Sequence, residues 1–107
     1  MKRYGQVICI ESENIEAYSR LHGDVWPEVL KKITECNIRN YSIFVKDNLL
    51  FAFYECHGDA YEADMAKMAE DPKTQGWWAI NSPLQSPLPT RNNCEWWANM
   101  QEIFHTA

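Results

Sequence analysis

Residues 3–10 (Arg-Tyr-Gly-Gln-Val-Ile-Cys-Ile) carry apolar and polar side chains in a pattern that reads as a β-strand with one mixed face. The period then changes. Glu13 to Tyr18 predicts a helix, with Ser12 as its N-cap and acidic residues in its first turn, where they meet the positive end of the helix dipole. Gly23 and Asp24 break that helix. Pro27 opens the next one, running to about Cys36 with Val29, Leu30 and Ile33 facing inward. Trp26 precedes a proline, which pushes it away from helical angles and puts it at the junction.

Asn40 to Val45 predicts a second strand, Lys46-Asp47-Asn48 a tight polar turn, and Leu49 to Cys56 a returning third strand. Asp59 is placed to cap a helix reaching about Ala69, in which Tyr61, Met65 and Met68 fall at helical spacing. Pro72 opens a short helix that carries Gln75-Gly76-Trp77-Trp78. Residues 81–93 form a proline-rich loop long enough to act as a lid or binding loop, and residues 95–104 read as a last strand. The order β-α-β-β-α-β predicts an α+β fold of the ferredoxin-like, split βαβ kind. In it a four-stranded antiparallel sheet carries its helices on one face. The bare face then needs a partner or a ligand, and two such sheets facing each other in a dimer would enclose a cavity.

Length narrows this further. A chain of 107 residues is one domain, residues 1–107. It buries only about two-thirds of its unfolded surface, so an oligomer interface would help it. Apolar residues make up 46% and charged residues 23%, as in a soluble globular protein. A net charge of −5 argues against nucleic acid, whose phosphates require a basic face. No apolar run is long enough to span a bilayer, and Met1-Lys2-Arg3-Tyr4 leads into a strand in place of a signal peptide. A cytoplasmic protein is the expectation. Cys9, Cys36, Cys56 and Cys94 have no paired spacing and read as free thiols, with no metal expected.

Candidate chemistry centres on Tyr18 and His22. Positions i and i+4 share a helix face about 5–6 Å apart at Cβ, so a phenol and an imidazole can reach into one pocket. Each candidate also has a plain structural reading. Tyr18 suits a surface aromatic, His22 a group meeting the helix dipole, Tyr41 a strand tyrosine, and Trp77-Trp78 a loop anchor. Five tryptophans in 107 residues is high, and four form the adjacent pairs Trp77-Trp78 and Trp96-Trp97. Neighbours cannot face one way in a regular element, so one of each pair lines something other than the main core. Trp96 and Trp97 read as structural. The acids Glu11, Glu28, Glu55 and Glu102 sit where solvation or capping explains them, with Glu102 the one candidate among them for a further role. Tyr, His and Trp with few cations suit a neutral polyhydroxy ligand, since indole faces pack on sugar C–H groups while hydroxyls and imidazole meet the polar edges. No dinucleotide, phosphate-loop, nucleophile-elbow or zinc-protease motif occurs. That leaves proton transfer or plain binding, without a cofactor.

These residues bring a family into view. Tyr18 with His22, Trp26-Pro27-Glu28, Asn40-Tyr41, Asn48-Leu49-Leu50-Phe51-Ala52, Trp77-Trp78 and Met100-Gln101-Glu102-Ile103-Phe104 recur at the spacing of the L-rhamnose mutarotases, which the chain resembles over nearly its whole length. The resemblance implies a small cytoplasmic homodimer of the dimeric α/β barrel type that interconverts the anomers of L-rhamnopyranose. It also implies that His22 is the catalytic proton donor and that Tyr18, Tyr41, Trp77 and Trp78 contact the sugar. The chain departs from the family pattern in a longer segment over residues 81–97 with an extra Trp96-Trp97, and in Gly23-Asp24 where the family carries Asn-Pro. Those departures keep open L-fucose or another deoxy aldose as substrate. The fold itself leaves room for a sugar-binding barrel without catalysis, or for a heme- or quinone-handling relative.

Overall fold

The computed structural model describes residues 1–107. Its elements are β1 (Lys2–Ile10), α1 (Ile15–His22), α2 (Pro27–Glu35), β2 (Ile38–Lys46), β3 (Leu49–Cys56), α3 (Tyr61–Glu70), α4 (Pro72–Asn81), β4 (Gln85–Ser86) and β5 (Ala98–Met100). Single 3₁₀ turns fill Ser12–Asn14 and Ser82–Leu84. The strands form one antiparallel sheet in the order β2-β3-β1-β4, with β5 also pairing to β1. No helix is long and apolar enough to cross a membrane.

Period-two alternation sorts the two sheet faces. Along β3, Leu50, Ala52, Tyr54 and Cys56 are buried, while Leu49, Phe51, Phe53 and Glu55 stay half-exposed. Register carries the same split across the sheet, because directly opposed residues share a face. Ile8 pairs with Leu50, Gln6 with Ala52 and Tyr4 with Tyr54, and these line the inner face that the helices cover. The core there has two lobes. Ile8, Ile10, Tyr18 and Leu50 form one; Cys36, Ile38, Tyr54, Cys56 and Met68 form the other.

The hairpin between β2 and β3 is as expected, a two-residue turn in which Asp47 takes φ 54°. Aspartate tolerates that left-handed conformation through local hydrogen bonding of its short side chain. A β-bulge interrupts β2 between Arg39 and Ser42, with Asn40 at φ 53°. One extra residue in a strand reverses which positions face inward. The bulge thereby turns Tyr41 onto the inner face, where its ring meets Tyr54 at 5.4 Å.

Several local expectations give way to tertiary contacts. Ser12 caps no helix: the chain first makes a 3₁₀ turn, and the Ser12 hydroxyl accepts from Asn48 Nδ2 at 2.8 Å. Asp59 is likewise not the cap of α3, which follows Ala60 without a side-chain cap. That start is fixed by the Tyr61 ring stacking on Tyr4 and its hydroxyl bonding Tyr54. Leu30 is 51% exposed because the space above it is open cavity and not core. The strand expected over residues 95–104 shrinks to β5, and part of the expected loop becomes β4. Together β4 and β5 supply a split fourth strand along β1, opposite Cys9–Ile10 and Gly5–Val7 respectively. Glu102 is a tail anchor, holding Arg3 through two bonds of 3.1 Å. All four cysteines are free thiols.

Candidate active site

The helices and the inner sheet face enclose a cavity of about 900 Å³. Tyr18, His22, Tyr41, Trp77 and Trp78 all line it. Helical spacing brings the first two together, as their sequence positions require. Their rings stack at 4.2 Å with 17° between planes. Trp77 meets His22 edge-on at 5.4 Å, and Trp26 meets Trp77 edge-on at 5.3 Å. The Trp26-Pro27 junction therefore acts on His22 through Trp77. Trp26 also lies over Gly76 of α4.

One hydrogen bond sets the chemistry of His22. Its Nδ1 lies 2.9 Å from the carbonyl oxygen of Tyr18. A carbonyl can only accept, so Nδ1 carries the proton, and in the neutral ring Nε2 keeps its lone pair. Burial pushes the His22 pKa below the usual 6.5, partly opposed by that same bond. The resting ring is thus neutral near pH 7, with a basic nitrogen free.

Tyr18 is 5% exposed, and its hydroxyl accepts from Gln85 Nε2 at 3.1 Å. Burial pushes its pKa up to about 12, so the phenol keeps its proton. Burial also raises the pKa of Tyr41, whose hydroxyl end is enclosed although the residue as a whole is 42% exposed. Trp77 is buried against the aromatic row and Trp78 is exposed at the rim, so the adjacent pair divides between wall and mouth. Beneath them Asn81 donates Nδ2 to the Trp77 carbonyl at 2.9 Å and leaves its buried Oδ1 without a partner.

Among the cavity residues that sequence reasoning does not single out for the site, two are joined to each other. Gln85 lies on β4 and Trp96 just before β5, and Trp96 Nε1 donates to Gln85 Oε1 at 2.8 Å. Trp97, its neighbour, also borders the cavity and packs on the Ile8–Tyr18 lobe. The signal for Trp96 is the doubled tryptophan. Nothing in the sequence marks Gln85.

The family model described as L-rhamnose mutarotase matches residues 3–106. The chain belongs to the L-rhamnose mutarotase family. A relative named L-rhamnose mutarotase from Listeria monocytogenes serovar 1/2a is 31% identical over 100% of both chains. The crystal structure of an L-rhamnose mutarotase from Formosa agariphila superposes with a TM-score of 0.77 at 22% identity, covering 100% of both chains. A type-II polyketide cyclase from Streptomyces glaucescens reaches a TM-score of 0.74 at 12% identity, over 100% of this chain and 98% of the other. The two superpositions speak to the fold alone, which serves more than one chemistry.

Proposed function

We propose that the protein interconverts the α and β anomers of L-rhamnopyranose, with His22 as acid/base and Tyr18, Tyr41, Trp77 and Trp78 as sugar contacts. The observation that carries this reading is the neutral His22 ring, its Nε2 lone pair free inside an aromatic-walled cavity. The anomeric hydroxyl gives its proton to Nε2. The bond from C1 to the ring oxygen breaks, its electron pair staying on that oxygen, which takes up a proton in turn. Both oxygens are bonded to C1, so one imidazole nitrogen serves both. The aldehyde turns about the C1–C2 bond, and the reverse steps close the other anomer. A positioned acid/base contributes on the order of 10²–10⁴-fold, enough for a reaction that also runs unaided in water.

The same reading takes residues 1–107 as one catalytic domain and its assembly as a homodimeric α/β barrel. The half-covered Phe51 and Phe53 and the 63% exposed Phe44 on the outer sheet face support such a pairing. It also places the protein in the cytoplasm, where the thiols of Cys36 and Cys56 stay reduced.

The test is exchange NMR on the anomeric protons of L-rhamnose. His22→Ala should remove catalysed exchange, a loss on the order of 10²–10⁴-fold, with the circular dichroism of the folded protein unchanged. Exchange that persists in the variant overturns the assignment. A second reading keeps the reaction and changes the sugar, because Gln85 and Trp96, from the segment in which the chain departs from the family pattern, line one wall of the cavity. Faster exchange of L-fucose than of L-rhamnose by the wild-type protein would select it. Sugar affinity without any acceleration would point to a binding protein.

A further inference from the structure

Gln85 is joined to Tyr18 and Trp96 by an ordered pair of hydrogen bonds. The indole Nε1–H of Trp96 has a proton and no lone pair to offer, so the atom it faces must be an acceptor. That identifies the Gln85 atom at 2.8 Å as the amide oxygen. The amide nitrogen is then the atom turned to Tyr18, and at 3.1 Å it donates to the phenol oxygen. An amide left without Trp96 would be free to flip and present its oxygen instead. The backbone holds the arrangement as well. Gln85 is paired with Ile10 at the sheet edge, and Trp96 sits one residue from Trp97, which packs on the core lobe.

From this geometry we propose that Gln85, oriented by Trp96, is a positioning residue that makes Tyr18 a hydrogen-bond donor toward the ligand. The phenol oxygen is occupied as acceptor by Gln85, so the phenol proton is the part left for the cavity. His22 Nε2 offers a lone pair in the same cavity. The site thus presents one donor and one acceptor, side by side on a stacked pair of rings. An aldose undergoing ring opening needs both. Its anomeric O–H must be accepted, and its ring oxygen must be stabilised as the C1–oxygen bond gives it electrons. Tyr18 keeps its proton throughout and supplies a hydrogen bond that strengthens as charge builds on the ring oxygen. Neither Gln85 nor Trp96 touches the reacting atoms.

The proposal rests on the mutarotase reading for its kinetic consequence, and a pair of substitutions isolates it. Gln85→Glu keeps nearly the same shape, but near pH 7 its carboxylate only accepts, so it captures the Tyr18 proton. Gln85→Met removes both hydrogen bonds and leaves Tyr18 free to keep donating. Gln85→Glu should therefore lower kcat by about 10²-fold, the usual scale for losing one donor to a developing oxyanion, with KM changed far less. Gln85→Met should lose only a few-fold. A merely structural role for Gln85 predicts the opposite order, since Glu fills its space better than Met. Trp96→Phe, which removes the N–H and keeps the ring, should fall between them and add nothing to Gln85→Met.

A readout free of sugar separates this proposal from the mutarotase reading. The Trp96 indole N–H resonance, assigned through Trp96→Phe, should move upfield in Gln85→Met and stay downfield in Gln85→Glu. If the wild-type protein accelerates exchange of no aldose, the mutarotase reading falls and the indole resonance still tests the order of the bonds. An indole signal unmoved in Gln85→Met, or a Gln85→Glu variant as active as wild type, overturns the proposal.

Discussion

The two faces of the sheet are written by alternate residues of the same strands, yet they end as opposite kinds of surface. Inward from β1 and β3 come Gln6, Ile8, Ala52 and Tyr54, met by helices and by the Tyr18–His22–Trp77 row. Outward come Gly5, Val7, Phe51 and Phe53, with Phe44 opposite Phe51 and Met100 opposite Gly5. The inner face is aromatic and directional, with Tyr18, His22 and Gln85 held by hydrogen bonds. The outer face carries an apolar patch of Phe44, Phe51 and Phe53. Gly5 leaves Met100 room there, because a Cβ would come within 3.3 Å of its methyl. Chemistry needs fixed directions, whereas association of two sheets needs area without protrusions. A strand can supply both at once because its side chains alternate.

The strongest break in this comparison is a charge on the outer face. Phe44→Asp combined with Phe53→Asp should dissociate the proposed dimer. A carboxylate buried against a second sheet without a partner costs several kcal/mol, which is on the order of 10³-fold in association. Sedimentation velocity would show the monomer. The cavity is built within one chain, so the folded monomer should retain exchange activity. A variant that stays dimeric would place the interface elsewhere. One that is monomeric and inactive would show that the two faces are coupled.

A second effect belongs to the inner face alone. Burial lowers the His22 pKa from 6.5. If neutral His22 is the working form, kcat/KM should be flat around neutral pH and fall only as pH drops through that lowered value. Stability should follow the same sign. The unfolded chain takes up the proton near 6.5, while the folded chain resists until lower pH, so stability is complete above 6.5 and declines as pH falls below it. His22→Ala should remove this part of the stability slope. A kcat/KM that rises toward low pH would mean that the imidazolium is the working form.

Most of the inner face is legible in the amino-acid sequence, and for identifiable reasons. Tyr18 and His22 meet because helical spacing demands it, and β3 is an apolar run bounded by a turn on each side. Tyr41 is in period-two phase with Ile43 and Val45 but out of phase with Ile38. Only the bulge at Asn40 brings all four to one face, and bulges leave little trace in a strand of mixed residues. The expected caps at Ser12 and Asp59 fail because local propensity yields to distant partners, Asn48 in one case and the Tyr4–Tyr54–Tyr61 stack in the other. Gln85 leaves no mark in the sequence because its role depends on Trp96, eleven residues later and across a loop. The outer face is different again: strands with both faces apolar announce that something must cover one of them.

The smallest effect tests the helix layer that distinguishes the two faces. Asp71 ends α3 and caps α4, accepting from Thr74 N at 3.0 Å and from Thr74 Oγ1 at 2.8 Å. These bonds hold its carboxyl below the usual 3.8. A depressed carboxylate contributes stability that is present above the unfolded pKa and lost as pH falls through the folded one. Asp71→Ala should therefore lower the melting temperature at neutral pH, and the gap to wild type should close as the solution is acidified past that point. Asp71→Asn keeps a neutral acceptor at the cap, so it should recover part of the loss without the pH dependence. Because α4 carries Trp77 and Trp78, Asp71→Ala should also raise KM modestly while the outer face, and with it the proposed dimer, is untouched. A dimer that weakens along with the cap would mean that the helix layer supports the outer face as well.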